Sequence, residues 1–429
     1  MKPEPETQPH ARRIRFESFA PFRHRAFALF WSGAFVSNIG TWMETVAFGI
    51  YVTSRTGQAV WPGIVAAATF VPTAFLGPVG GALADRMPRK AILLTTTGVQ
   101  MFFAGLITIL TIVGNPAPLV IALVAFGSGC AAATGFPAYQ AMIPDLVPIE
   151  DLAGAIALGS AQWNLGRVIG PLLAGVTISL GGISWALGIN TVSFFAVVVV
   201  LLLITLPRPA PDARSVKILA SIRSGFRLVR ADAGLRIVVQ TMSLNTLLAA
   251  PFIALVPAMA IKVLHSGKFG TSVLVTAQGI GAVAAALAIG PLGRRQGVRW
   301  IMVRSVGLVP FALILYALAP DLPLSALAIV VVGALYLASL SCFTTIAQQR
   351  APSEFRGRVL SVNNVILGTL YPLGAALQGL LADHFGLRAV TAGSAVVMLV
   401  ALAAVRTLRP GYTNAIETPL APAGANLGP

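Results

Sequence analysis

Two ionisable side chains stand alone in stretches of sequence that carry no other charge. Glu44 is the sole charged residue between Arg25 and Arg55, and Arg167 the sole one between Asp151 and Arg208. An ionisable group in so apolar a context is costly and is retained for a task or a specific partner. A carboxyl group whose access alternates between two solutions can load a proton from one and discharge it into the other. For Glu44 two readings stand: such a proton-loading site, or a charge near an outer mouth that shapes the local field. For Arg167 they are a coupling charge, or a guanidinium bound to backbone carbonyls beside the kink at Gly170-Pro171. Polar residues recur at comparable depth in other apolar runs: Asn38, Trp42, Asn164, Asn190, Asn245, Gln278, Tyr336, Asn363 and Tyr371. Each alone fits a hydrogen bond between helices. As a set, with abundant Phe and Met, they suit a small amphipathic, partly aromatic molecule.

Other chemistries find no residues to carry them. No acid, base and nucleophile constellation stands in the apolar runs, and no phosphate-binding loop or nucleotide motif is present. Cys130 and Cys342 both lie in apolar stretches, His10 and His24 in the N-terminal tail, and His265 and His384 in expected loops. None has metal-ligand spacing, so neither metal nor cofactor is expected. The net charge of +16 sits in short loops between apolar runs rather than on a polar face with interleaved aromatics, which argues against nucleic acid as a partner.

The elements that must position these residues are membrane helices. Of 429 residues, 56% are apolar and only 10% charged, where a soluble domain spends about a quarter on charge. The mean hydropathy is +0.83. Runs of roughly 20 apolar residues, enough to cross a bilayer, predict helices over 27–51, 60–82, 91–113, 117–142, 154–180 and 185–206. A second six follow over 234–262, 270–292, 300–318, 323–349, 355–382 and 387–408. The expected fold is an all-α membrane protein of twelve transmembrane helices in two pseudo-symmetric six-helix bundles around a central cavity. Residues 1–26 and 409–429 form the tails, 27–206 and 234–408 the bundles, and 207–233 the linker. The N-terminus is polar and basic without a cleavage site, so it is expected to be retained. With an even helix count, the loops on the side of the tails carry 25 Lys and Arg, the opposite loops four, and Arg167 completes the 30. That bias puts both termini in the cytoplasm.

The linker opens Pro207-Arg208-Pro209-Ala210-Pro211, which ends a helix. Ile218, Leu219, Ile222, Phe226 and Val229 then recur at helical spacing, with Arg223, Arg227 and Arg230 on a separate stripe. This pattern fits either an amphipathic helix on the inner leaflet or a solvated connecting helix. The two halves repeat one another. Gly81-Ala-Leu-Ala-Asp85-Arg86-Met-Pro88-Arg89-Lys90 has its counterpart 209 residues later in Gly290-Pro-Leu-Gly-Arg294-Arg295, and Pro148-Ile-Glu150 in Pro352-Ser-Glu354. Parallel repeats of this kind place a binding site at their interface, near the bilayer midplane.

On these residues the chain resembles the major facilitator superfamily over roughly 20–408. Gly81 to Lys90 matches the superfamily's loop signature G-x-L-x-D-R-x-G-R-K, with Pro88 where Gly is usual. The resemblance implies that Asp85 pairs with helix ends and with Arg residues such as Arg86 and Arg89, near Lys90, latching an outward-facing state. Arg294 replaces Asp85 in the second half, so the latch is asymmetric. Gly166-x-x-x-Gly170-Pro171-x-x-Ala174-Gly175 resembles the antiporter motif of drug:proton exporters, with Ala174 where Gly is common. The segments Phe35 to Met43, Asn164 to Arg167, Asn190 to Phe194 and Arg356-Gly357-Arg358 are similar to the branch of siderophore exporters and macrolide or multidrug efflux pumps. That branch often has Gln at the position of Glu44. The fourth-helix Arg of many drug:proton antiporters corresponds to Leu123 here, so Arg167 is left to stand in for it.

The resemblance therefore implies a secondary active transporter in the plasma membrane, a proton-coupled exporter of drugs, siderophores or similar small amphipathic molecules. The proton gradient is its energy source, no cofactor is needed, and the chain works as a monomer in the lipid bilayer. An importer or uniporter on the same fold is the alternative, and a non-transporting sensor a further one. Replacing Glu44 with Gln is expected to abolish proton-driven export while substrate binding stays measurable. Full transport by that variant, in a protonophore-controlled efflux assay, would exclude Glu44 as the proton site.

Overall fold

The computed structural model describes residues 19–204, 218–352, 355–408 and 411–417. The outer parts of both tails, and the Pro207 to Pro211 opening of the linker, lie outside the described residues, as do the side chains of Ile218, Leu219 and Ile222. Every described element is a helix or helical turn. In lipid this follows from the backbone, whose N–H and C=O groups find partners within each helix.

The first six long helices are α1 (Arg25–Thr56), α2 (Val60–Arg86), α3 (Arg89–Val113), α4 (Pro118–Leu146), α5 (Leu152–Gly181) and α6 (Ile183–Leu203). The linker holds α7 (Ile218–Ala231). The remaining helices are α8 (Ala233–Val263), α9 (Gly267–Gln296), α10 (Val298–Leu318), α11 (Leu322–Arg350), α12 (Arg356–Phe385) and α13 (Leu387–Leu408). Eleven of these are long and apolar enough to cross a membrane. The other long helix, α1, runs for 32 residues and is more polar, because it carries Glu44, Asn38 and several Ser and Thr. It packs among the eleven, against α5 and α6. Helix ends fall within a few residues of the sequence expectation. The largest difference is α1, which continues to Thr56 and closes on Gly57 in the left-handed conformation. The junctions α5–α6 and α12–α13 both turn on a glycine with positive φ, Gly182 and Gly386, so the two halves repeat at this point in backbone as well as in sequence.

Within residues 25–203, α2 packs along α4, α3 along α4 and α6, and α1 along α5 and α6. Within 233–408, α11 packs along α9 and α10, and α10 along α13. The halves meet through two long pairings, α2 with α12 and α5 with α9. The α2–α12 pairing is a backbone contact: a side chain at Gly63 would run into the Ala375 carbonyl, and one at Gly379 would lie 2.8 Å from the Ala59 carbonyl oxygen. Such close approach is what small residues allow between helices in lipid.

Apolar packing differs between the halves. The last six helices share one continuous core running from Leu235 to Met398. The first six have two separate cores, one around Phe27, Leu93, Met142 and Leu201, the other around Met43, Ile107, Ile121 and Leu187. Between them lies a mid-depth belt of buried polar residues: Asn38, Glu44, Thr96, Thr97, Gln162, Arg167, Asn190 and Ser193.

α7 packs against the start of α12, with Leu228 and Val229 buried and Arg223, Arg227 and Arg230 exposed. Arg358 donates to the Ser224 hydroxyl at 3.2 Å. At the same end, Arg350 of α11 forms two bonds to Asp232, at 2.9 and 2.7 Å, and donates to the Ile416 carbonyl. Asp232 also accepts from the Leu235 N–H and so caps α8. One buried carboxylate therefore ties the linker, α8, α11 and the turn Tyr412–Ile416 together. Arg350→Ala, which leaves Asp232 buried without its charge partner, is expected to cost about 3–5 kcal/mol. The check is a lowered thermal unfolding midpoint of the detergent-purified protein.

Candidate functional site

Residues near the middle of three other helices converge on Arg167. Arg167 lies midway along α5, Trp42 midway along α1, Tyr336 along α11 and Tyr371 along α12. The Arg167 guanidinium sits over the Trp42 ring, 5.3 Å from its centroid, and within electrostatic reach of Tyr336 and Tyr371. Trp42 in turn meets Trp163 edge-on at 6.3 Å, Tyr371 meets Phe70 of α2 at 5.2 Å, and Tyr336 meets Phe252 at 5.9 Å. Gln278 is buried one residue before Gly279, whose missing side chain lets α9 lie against the Arg167 backbone. The glycines of the α5 motif make the rest of this packing possible. Gly166 faces Asn38, Gly170 faces Trp42 and the Ile39 carbonyl, and Gly175 faces Ser272 of α9. Pro171 is buried between them.

The other polar residues satisfy one another nearby. Glu44 accepts a hydrogen bond from the Asn190 side chain, so its carboxylate lies between α1 and α6. Ser193 donates to the Asn190 backbone carbonyl at 2.7 Å. Asn38 donates to the Gln162 carbonyl at 3.2 Å, and Tyr139 to the Gln162 side chain at 3.0 Å. Asn164 bonds back to Ser160 on its own helix, and Asn245 approaches Ser339 at 3.4 Å at the start of a π-helical turn in α8. The structure thus gathers Trp42, Tyr336 and Tyr371 around Arg167, pairs Glu44 with Asn190, and leaves Asn164, Asn245, Gln278 and Asn363 in other packing contexts. Several buried polar atoms in this layer have no protein partner: the Trp42 indole N–H, the Gln278 amide nitrogen, an oxygen each of Asn38 and Asn245, and both polar atoms of Asn363.

The two ends of the helix assembly differ. At the end that carries the described tail residues, Asp85 and Arg86 are exposed, and open space lies beside Gly81. Among the described residues Asp85 makes no ion pair. Its neighbours are engaged within the first half: Arg89 bonds the Asp145 carboxylate at 2.6 Å and the Ala141 carbonyl, and Lys90 caps α6 through the Ile204 carbonyl at 2.6 Å. At the opposite end Asp383 joins the halves. It accepts from the Ala59 and Val60 N–H groups at 2.7 and 2.9 Å and from Lys262 at 3.1 Å. Close approaches between α2 and α12 include Gly63 at Ala375, Phe70 at Tyr371 and Gly368 at Ala74.

Comparison with known proteins identifies the family. A family model described as transmembrane secretion effector matches residues 16–421. The chain belongs to that family of the major facilitator superfamily. Its members are transporters rather than enzymes. The chain is 24% identical over 370 residues to macrolide efflux protein A of Streptococcus pyogenes, covering 84% of this chain and 90% of that protein. It is 29% identical over 360 residues to the enterobactin exporter EntS of Citrobacter koseri, covering 83% and 85%. Its fold matches a bacterial homologue of the human lysosomal transporter Spinster in an inward-facing, unoccupied conformation. The TM-score there is 0.72 at 16% identity, over 93% of this chain and 98% of that one.

The end-clasp of Asp383 is a contact between the halves that the sequence analysis did not single out. A carboxylate at the outer end of a helix is adequately explained by solvation when only the sequence is read. The available signal was scarcity, since Lys262 is one of four cations on that side. α2 has no side-chain cap of its own, and Asp383 supplies one from the other half. Asp383→Asn removes the charge from two hydrogen bonds, each worth about 1.5–3 kcal/mol. The amides of Ala59 and Val60 are then expected to exchange with deuterium about 10- to 100-fold faster, with the amides of α10 unchanged.

Proposed function

We propose that the protein is a proton-coupled exporter of small amphipathic molecules, working by alternating access in the plasma membrane. The observation that carries this reading is the inequality of the two ends: the halves are clasped at one through Asp383 and unlatched at the other, around Asp85. The arginine and lysine bias assigns the unlatched end to the cytoplasm. α1 joins the eleven other spans, giving twelve transmembrane helices in two six-helix bundles, 27–206 and 234–408. The linker 207–233 and both tails are cytoplasmic. This is an inward-facing resting state, ready to take substrate from the cytoplasm, and the efflux activities named for its curated relatives give the direction.

In the cycle, substrate enters from the cytoplasm and settles against Arg167, Trp42, Tyr336 and Tyr371. The bundles then rock along the α2–α12 and α5–α9 seams, the Asp383 clasp opens, and Asp85 engages the helix ends and arginines facing it. Glu44 takes up a proton while its belt faces outward and gives it up when the cavity faces inward again. Neutralising the carboxylate frees its bond to Asn190, so the α1–α6 contact is the element through which proton loading reaches the bundle.

The decisive measurement is efflux of a fluorescent dye and a small drug panel from cells, with and without a protonophore. Protonophore-sensitive extrusion, reduced at least tenfold in Asp85→Asn at equal membrane abundance, is the expected result. Extrusion that persists when the gradient is collapsed would overturn proton coupling.

A further inference from the structure

Arg167 is a buried cation without a counter-ion. It is 9% exposed, and among the described residues its guanidinium makes no ion pair and no hydrogen bond; its one close partner is the Trp42 ring. No carboxylate is available to it. Glu44, the only acid at mid-depth, is bound to Asn190, and Asp383 spends both oxygens at the far end of α12. An unpaired charge at this depth is costly, and a bound anion would relieve the cost.

The groups around it are donors too. The Trp42 indole N–H is buried with no acceptor, and a buried donor without a partner costs about 1–3 kcal/mol. The Tyr336 and Tyr371 hydroxyls are close enough to act electrostatically on Arg167. The walls are aromatic: Trp42 meets Trp163 edge-on, and Tyr371 meets Phe70 edge-on. Donors that converge on one cation between aromatic faces suit a flat ring bearing an acidic group. They repel an organic cation.

We propose that Arg167, with the indole N–H of Trp42, forms an anion subsite that selects aromatic amphiphiles carrying a carboxylate or similarly acidic group. This rests on the transport reading, of which it names the substrate class. The acid sits in the guanidinium fork, where a planar carboxylate is matched by two parallel N–H donors. The ring lies against Trp42 and Tyr371.

The test uses purified protein in phosphatidylcholine nanodiscs and three probes of one shape: 2-naphthylacetate, its neutral amide, and 2-naphthylethylamine. Calorimetry is expected to rank the acid at least tenfold above the amide, with the amine weakest. Arg167→Gln should weaken the acid by about 10- to 100-fold, the effect of losing a charge-assisted hydrogen bond. It should leave the amide unchanged, which also shows that the variant is folded. Arg167→Lys should keep a preference for the acid, and Trp42→Phe should lose part of it. Equal binding of the three probes, tighter binding of the amine, or an acid preference that survives Arg167→Gln would overturn the proposal. So would displacement of 2-naphthylacetate by added phosphatidylglycerol or millimolar chloride, which would make the occupant a lipid headgroup or an inorganic ion. Binding here requires no gradient. Acid-selective binding without export in cells would sink the exporter reading and keep the subsite, and export without acid selectivity would do the reverse.

Discussion

A charge or hydrogen-bonding group in hydrocarbon must find a partner, and little else explains where the polar residues of this protein stand. The backbone meets the requirement by becoming helix throughout. Side chains meet it by pairing across helices: Glu44 with Asn190, Asn38 with the Gln162 carbonyl, Lys90 with the end of α6, Arg350 with Asp232. Arg167 is met only by an aromatic ring, and beside it the Trp42 indole N–H also lacks a protein partner.

Both halves bury polar side chains, but they interrupt the apolar packing only in the first: there a polar belt at mid-depth separates two apolar cores, while in the second one apolar core runs through continuously. A continuous, close-packed core moves as a body, since interiors of that density deform little. A belt of hydrogen bonds between two cores offers a layer that can rearrange without unpacking either. The groups suited to proton and substrate chemistry, Glu44 and Arg167, both lie in that belt.

The seams between halves are made by absence of side chains. Gly63 and Gly379 bring α2 and α12 into backbone contact, Gly279 does the same for α9 and α5, and Gly175 of α5 makes room for the Ser272 side chain of α9. Contacts of this kind are smooth and lightly polar, so one half can tilt on the other. What fixes the tilt is polar and local. Asp383 holds one end by capping a helix in the opposite half, and at the other end Asp85 makes no ion pair among the described residues.

The amino-acid sequence alone determined that the chain is helical and lies in a membrane, where nearly every long helix begins and ends, and which family's motifs it carries. These depend on local composition: apolar runs of bilayer length, glycine and proline at the breaks, cations in the loops. It also singled out Glu44 and Arg167, because a charge in an apolar run is conspicuous without any knowledge of its surroundings. What only the tertiary structure decided is who meets whom. That Glu44 turns toward α6, that Arg167 faces Trp42 with no acid nearby, and that Asp383 caps α2 from 324 residues away are all contacts between distant segments. Hydropathy and spacing report the depth of a residue and its face on a helix. They do not report the neighbouring helix, which is set by how all the helices pack at once.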